Sequence, residues 1–251
     1  MSSNYYFLNN KNKNRLSGFL LACFSIVSCI EIIAEYNEDK LFIWYTKPLI
    51  IPLLFGYYFI SSKKINNYFI AALAFSWIAN ILFIENTILW IIYGSIFFLI
   101  YRILIIYIVM NKVKMPSLVP SIIGSVPFIF IYATVVSLTF NAMGNNIYIF
   151  LLHGLFTIFL GGLSLGNYIM SPNKPNFYLF ISTMLFAITQ FVFVLKVYYE
   201  EANLFHAIAM ILFVLGQFLL VKFMFLTEKY NHRYEIINNF SDHDRSKSDI
   251  D

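Results

Sequence analysis

Charged residues are scarce in this chain, and their scarcity excludes an ordinary soluble domain. Asp, Glu, Lys and Arg make up 12% of the 251 residues, while hydrophobic residues make up 60%. A typical soluble domain is about one quarter charged and about half apolar. One globule of this size cannot hide so much apolar surface, so lipid must be the solvent for much of the chain. The net charge is +4, but the charges fall at segment ends rather than on one face, and we expect no nucleic-acid partner.

Cysteine is scarce as well. Cys23 and Cys29 are the only two in the sequence, and both lie in the first apolar run. Two residues cannot form a Cys-rich metal site or a disulfide framework. Six positions apart on one helix, they point to different faces and are interpreted as small apolar packing groups. Nothing in the sequence points to a metal, haem or nucleotide, so we expect no cofactor.

Long apolar runs alternate with short polar turns along the whole chain. Each run has roughly the 17–25 residues that a spanning helix needs, and their continuity excludes the short alternating strands of a membrane β-barrel. The runs cover residues 16–34, 41–60, 68–84, 88–110, 118–140, 147–170, 177–199 and 203–226. We therefore predict an all-α, polytopic membrane helix bundle of about eight transmembrane helices.

The predicted bundle occupies residues 16–226 as one domain. It follows a polar N-terminal segment, residues 1–15, and precedes a polar tail, residues 227–251, in which both charge signs mix with Asn, Ser and His. Such a composition lacks apolar periodicity, so we expect the end of the tail to be disordered.

Basic residues near the helix ends predict the orientation in the membrane. One side collects most of them: Lys11, Lys13, Arg15, Lys63, Lys64, Lys112, Lys114, Lys174, Lys229 and Arg233. The loops of the other side hold Lys40 among several acidic residues, with Lys196 just inside that side. Both termini are therefore predicted to be cytoplasmic, in what we expect to be a bacterial inner membrane.

The second apolar run carries a lysine, Lys47, followed by Pro48 and Pro52. An ammonium in hydrocarbon costs at least ~2.5–3.5 kcal/mol, and each proline removes a backbone donor and loosens the helix. We interpret Lys47 as part of the wall of a polar cavity on a locally broken helix, with Glu31 or Glu35 as its counter-ion. The alternatives are a lysine that snorkels to the nearer surface, or a purely structural ion pair.

Other polar residues fall at a similar predicted depth. Glu31, Asn80, Gln190 and His206 share the extracytoplasmic half with Lys47 and could converge on the same cavity. Arg102 lies in the other half, where it could snorkel inward, bind carbonyls, or grip a phosphate or carboxylate with two hydrogen bonds.

Two further features of the sixth run predict helix packing. His153 is expected to form a hydrogen bond between helices rather than to act in catalysis. The glycines of residues 161–166, GGLSLG, have helical spacing and are expected to permit close packing of two helices.

Five short segments, in order along the chain, resemble one family of membrane proteins. They are residues 45–49 (YTKPL) with Pro52 following, 75–80 (FSWIAN), 94–102 (GSIFFLIYR), 185–190 (LFAITQ) and 216–217 (GQ). Their motifs and spacing are similar to those of the YhhN family, the lysoplasmalogenase-like multi-pass membrane proteins. The resemblance extends from Leu16 to about Leu226.

The resemblance implies a reaction for which this chain lacks the expected groups. The family cleaves the vinyl-ether bond of lysoplasmalogens, which requires a proton delivered to carbon and then addition of water. Where the family has Asp, this chain has Asn80 and Gln190; where it has His, this chain has Arg102; and Phe213 replaces a Tyr. Amides cannot exchange a proton near neutral pH, so catalysis is doubtful.

By this resemblance, the expected partners are membrane lipids, in particular a single-chain lysophospholipid whose phosphate meets Lys47. The candidate ligand-binding residues are Lys47, Ser76, Asn80, Arg102, Gln190 and Gln217. Alternatively, the chain is an active hydrolase in which Glu31, Glu35 or Lys47 acts in catalysis. Two other readings stay open: a small-solute transporter, and a membrane protein that binds no ligand.

Overall fold

The computed structural model describes the backbone of residues 2–85, 87–199 and 202–248, and the side chains within these ranges from Asn12 to Glu228 except Asn145. The described residues form eight α-helices and a single 3-10 turn, Gly144–Asn146, with no strand. The helices are α1 Ser2–Asn37, α2 Lys40–Ser61, α3 Asn67–Leu82, α4 Ile88–Lys112, α5 Leu118–Met143, α6 Ile147–Met170, α7 Lys174–Tyr198 and α8 Asn203–Ser248.

The predicted membrane helix bundle is confirmed. Among the described residues, seven helices are long and apolar enough to cross a membrane, and α3 is a shorter apolar helix of 16 residues. These helices are those of a multi-pass integral membrane protein. The orientation of the termini stays a prediction.

The final helix is longer than the sequence predicted. α8 runs on to Ser248, where the polar composition predicted no regular structure. Once the apolar span has formed the first turns, each further residue adds a hydrogen bond without a new nucleation cost, which favours continuation. Only the backbone is described beyond Glu228.

The predicted charged turn between the first two helices is confirmed. Glu38, which has a positive φ of 54°, reverses the chain after α1 ends. The Asp39 side chain then accepts hydrogen bonds from the backbone N–H groups of Leu41 and Phe42, at 3.2 and 3.3 Å. Such a cap satisfies donors that the first helical turn leaves free, so α2 begins at Lys40.

The two prolines of α2 do not break the helix, which corrects the expected local break. α2 is continuous from Lys40 to Ser61 with Pro48 and Pro52 inside it. Pro52 has no N–H to give to the carbonyl of Pro48, one turn earlier. The indole N–H of Trp77 on α3 donates to that carbonyl at 2.8 Å. A neighbouring helix thus replaces the missing hydrogen bond, and α2 stays helical at membrane depth.

Seven of the eight described helices follow a closed path around the bundle. Chain neighbours pack together as far as α4, but α4 then contacts α6 rather than α5. The path continues through α7 and α8, and α8 packs on α1 to close it. α5 lies outside this path, against α6 and α7.

The two ends of the bundle are filled differently. Where α2 ends and α3 begins, aromatic rings pack tightly: the ring of Tyr58 lies 4.8 Å from that of Phe69 and 5.8 Å from that of Phe225, between centroids. At the opposite end, where α1, α3, α5 and α7 finish, the helices enclose a cavity. We call this the cavity end of the bundle.

Close packing of α5 against α6 depends on glycine, as the sequence predicted. A Cβ atom on Gly124 would lie 2.8 Å from the backbone nitrogen of Gly166 and 2.9 Å from the carbonyl oxygen of Gly162. Because these neighbours are backbone atoms, the helices themselves would have to separate. The small residues let two helices approach closely, as is common inside membranes.

We therefore expect Gly124→Ala to lower the stability of the bundle by about 1–3 kcal/mol, the usual cost of overpacking. The midpoint of thermal unfolding of the purified protein in detergent measures this change. Gly18→Ala is the matched control, because no atom lies within 4 Å of a Cβ built there. Equal midpoints for the two variants would contradict the packing argument.

Candidate functional site

The cavity lies between the ends of all eight helices and encloses about 1140 Å³ of empty space, its open mouth included. Four of its lining residues were singled out by the sequence as sharing one depth: Lys47, Asn80, Gln190 and His206. The structure brings these four together at one cavity, but Glu31, the fifth residue of the predicted set, is not among the lining residues.

The cavity has two unlike walls. Glu35, Lys47, Asn80 and His206 form a polar wall supplied by α1, α2, α3 and α8. The facing side comes from α4, α5, α6 and α7, with the 3-10 turn before α6. Its apolar part consists of Ile91, Ile92, Phe98, Met143, Ile149, Phe150, Phe193 and Val194, and its polar part of Ser95, Asn146, His153, Thr189, Gln190, Lys196 and Tyr198. A space of this kind suits a ligand that is itself half polar and half apolar.

The polar wall is held together by the carboxylate of Glu35. One of its oxygens pairs with the ammonium of Lys47, and the other accepts from Nδ1 of His206 at 3.1 Å. Lys47 is 8% exposed and Glu35 is 5% exposed, so both charges are buried. The predicted counter-ion is confirmed, and the alternative that Lys47 snorkels to the surface is wrong.

The α1–α2 turn explains why these residues meet. Glu31 and Thr46 lie equally far along the chain from the Glu38–Asp39 turn, so they face each other across the two antiparallel helices. The hydroxyl of Thr46 donates to one oxygen of the Glu31 carboxylate. Helical side chains lean towards the N-terminus of their helix, so the long side chain of Lys47 reaches back to Glu35, nearer the turn.

Glu31, the other candidate carboxylate, does not line the cavity. It is fully buried, and its Oε1 has no hydrogen-bond partner among the described residues. Nε2 of His206 is likewise buried without a partner there. His206 is nonetheless one of the residues that line the cavity.

A second polar network lies deeper in the cavity, around Gln190. The amide oxygen of Gln190 accepts from the hydroxyl of Tyr132, and the hydroxyl of Thr157 lies 3.0 Å from the same oxygen. The amide nitrogen lies 3.3 Å from Nδ1 of His153. Nε2 of His153 then donates to the carbonyl of Ser95 at 2.9 Å. His153 thus joins α6, α7 and α4, as predicted for a histidine bonded between helices.

Arg102 adjoins this deeper network and is 2% exposed. Its Nη1 donates to the hydroxyl of Thr157 at 2.5 Å, and its Cζ lies 5.5 Å from the ring centroid of Phe98. The alternative that Arg102 snorkels to the membrane surface is therefore wrong. The side chain does not itself line the cavity, although Phe98 does.

Ser76 and Gln217, two candidate ligand-binding residues, lie elsewhere. The amide of Gln217 donates to the hydroxyl of Ser76 at 2.8 Å, and the Tyr101 hydroxyl donates to Gln217 at 3.3 Å. All three are buried and none lines the cavity. Their hydrogen bonds join α3, α4 and α8. The similarity of their motifs to those of the family did not show how deep these side chains lie in the bundle or which way they point.

The residues that sequence reasoning missed are uncharged. Thr46, Tyr132 and Thr157 each connect two or more polar groups of the site. A hydroxyl inside an apolar run costs little to insert and gives no local signal, unlike an ammonium or a guanidinium. Among the described residues, no three His, Cys, Asp or Glu side chains form a group that could hold a metal ion.

The ion pair on the polar wall predicts a steep cost for removing one partner. We expect Glu35→Gln to destabilise the protein by about 3–5 kcal/mol, because it leaves the buried ammonium of Lys47 unpaired. Replacing both partners with apolar residues, as in Glu35→Leu with Lys47→Met, should recover most of this loss. Glu31→Gln, which leaves the pair intact, serves as the control in thermal unfolding; a double variant no more stable than Glu35→Gln would refute the pairing argument.

Comparison with known proteins gives one match. No curated protein and no solved structure matches this chain. The sequence model of the YhhN family matches residues 42–224, which is more than half of the 251 residues. The match begins inside α2, so it includes Lys47 and Gln190 but not the two glutamates of α1. The chain belongs to the YhhN family.

Proposed function

We propose that this protein binds a single-chain lipid of the lysophospholipid class in the cavity. The observation that carries the proposal is the pairing of a polar wall with an apolar one around a space open at one end of a membrane bundle. A lipid with one chain has both characters and is small enough to leave the bilayer for such a space. The similarity of the YhhN family to lysoplasmalogenases supports the same class of ligand.

The two walls give the lipid an orientation. Its chain would lie along the apolar wall near Ile91, Ile149 and Phe150, where α4 and α6 face each other. Its polar part would face the polar wall and the deeper network around Gln190. The predicted topology places the cavity end on the extracytoplasmic side, so the lipid would come from that leaflet, in a bacterial inner membrane.

Filling the cavity tests this proposal. Ala209 lines the cavity on α8, and Ala209→Phe would occupy space that the lipid needs. We expect at least about tenfold weaker binding of a fluorescent lysophospholipid by the purified protein, which corresponds to about 1.4 kcal/mol. Ala133→Phe adds the same ring at an exposed position of α5 and should leave the affinity unchanged. Binding that survives Ala209→Phe would place the lipid elsewhere.

A second candidate function, hydrolysis of the vinyl-ether bond, is favoured by the pairing of His206 with Glu35. A carboxylate that accepts from Nδ1 orients the imidazole and stabilises its protonated form, which leaves Nε2 to transfer the proton. Protonated His206 would give this proton to the β-carbon of the enol ether, which leaves an oxocarbenium ion. Water then adds to the oxocarbenium carbon and returns one proton to the neutral His206. The resulting hemiacetal breaks into an aldehyde and the glycerophospho head group.

This candidate differs from the hydrolase expected from the sequence in its proton donor. In the hydrolase expected from the sequence, Glu31 or Glu35 replaces the missing Asp residues. In the mechanism proposed from the geometry, His206 donates the proton and Glu35 orients His206. Glu31 bonds to Thr46 and does not line the cavity, so it is the less suitable group.

A vinyl-ether assay on purified protein separates binding from hydrolysis. If the protein is a hydrolase, we expect His206→Gln to lower kcat by about 10²–10⁴-fold, the usual effect of losing a general acid. Glu31→Gln should retain activity in the same assay. Turnover that is lost in Glu31→Gln and kept in His206→Gln would reverse the roles, and absence of turnover in the parent protein would leave lipid binding as the function.

A further inference from the structure

Arg102 carries a buried positive charge that no described acidic side chain neutralises. The two ion pairs recorded among the described side chains join Glu35 to Lys47 and to His206, so neither involves Arg102. A guanidinium stays charged in proteins, and a charge inside a membrane is normally paired or in use. Its only recorded hydrogen bond goes to a neutral hydroxyl, that of Thr157. The buried charge of Arg102 therefore lacks a counter-ion among the described side chains.

The free part of the guanidinium has the shape of a two-donor fork. Nη1 is occupied by Thr157, while Nε and Nη2 are buried without partners among the described residues. Nε and Nη2 lie on one edge of the planar group, and such an edge binds the two oxygens of a carboxylate or phosphate with parallel hydrogen bonds. One neutral water could bond to these nitrogens but would leave the charge unpaired.

The guanidinium group lies one layer of side chains from the cavity. Thr157, which bonds to Arg102, is 3.0 Å from the amide oxygen of Gln190, and Gln190 lines the cavity. Phe98, which also lines the cavity, packs against the guanidinium. Gln190 and Phe98 thus separate the arginine from the cavity, and a change of the Gln190 rotamer would join the two.

Two lysines, Lys47 and Lys196, line the cavity, and each already has an interaction partner. The ammonium of Lys47 already has the carboxylate of Glu35 as its partner. An incoming phosphate would have to compete with that carboxylate and would approach its negative charge. Arg102 meets neither obstacle, because its recorded neighbours Thr157, Phe98 and Tyr101 are neutral.

We propose that the anionic group of the bound lipid, a phosphate or a carboxylate, binds the Nε–Nη2 edge of Arg102 rather than the ammonium of Lys47. This rests on the proposed lipid-binding function and names the ligand: a single-chain lipid with an anionic polar end. The polar end enters the cavity first, and the chain extends towards the mouth along the apolar wall.

Binding of matched lipids to the full-length protein in phosphatidylcholine nanodiscs tests the inference. The probes share one oleoyl chain: lysophosphatidic acid carries a phosphate, oleate a carboxylate, and monoolein no charge. We expect the parent protein to bind both anionic probes at least about tenfold more tightly than monoolein. Arg102→Met, close in volume to the residue it replaces, should lose this preference and keep its affinity for monoolein.

Two further variants distinguish loss of the anion-binding edge from a folding defect. Arg102→Lys keeps the charge but lacks the two-donor edge, so its preference for the anionic probes should be several-fold smaller than that of the parent. Lys222→Met removes a cation from α8 that bonds to Tyr57 and does not line the cavity, and it should keep the full preference. Retained binding of monoolein shows in each case that the cavity is intact.

Each outcome decides one question. An unchanged preference in Arg102→Met overturns the inference, and so does a parent protein that binds all three lipids equally, although lipid binding itself then stands. Failure of the parent to bind any of the lipids overturns the proposed function instead. Inorganic phosphate alone that binds the parent as tightly as lysophosphatidic acid would identify a free anion, not a lipid, as the ligand.

Discussion

The structure depends on compensation of charge where water is absent. Lys47 would be costly in hydrocarbon, and it is tolerated because Glu35 lies on the adjacent helix and His206 completes the hydrogen bonding of the same carboxylate. These three residues connect α1, α2 and α8, the helices that close the path around the bundle. The same contacts therefore hold the bundle shut and form the polar wall of the cavity.

The compensation is incomplete at the other end of the cavity. The groups around Arg102 are the hydroxyl of Thr157 and aromatic rings, which carry no charge. The cavity thus has carboxylates beside its polar wall and an unpaired cation beneath it. For the proposed lipid ligand, this difference in charge would give a zwitterionic or anionic head group a preferred direction of entry.

Gln190 shows why the sequence predicted which residue lies at the cavity but not what that residue does there. Gln190 accepts on its oxygen and lies within hydrogen-bonding distance of His153 through its nitrogen, so one side chain joins three helices. An ionised carboxylate could only accept. Where the resembling motifs have Asp, this chain therefore gains a link between helices at the position where a proton donor was expected.

The fold was largely predictable because lipid imposes it. Run length and the breaks between runs gave the helices, since a spanning segment must satisfy its own backbone. The spacing of Glu31, Glu35 and Lys47 around one turn was enough to predict an ion pair. What local sequence could not give was which non-adjacent helices meet. The contact of α4 with α6, and the network of Tyr132, Thr157 and Arg102 across it, follow from packing in three dimensions.

The position of Glu35 ahead of Lys47 in the chain has a consequence for biogenesis. The two residues are twelve positions apart and belong to one helical hairpin, closed by the capped turn at Asp39. The carboxylate is synthesised first, so the ammonium can enter the bilayer already neutralised, within a unit of two helices. The most unfavourable residue of the second span can thus be inserted before the six later helices exist, and the cavity is assembled around a pair that is already formed.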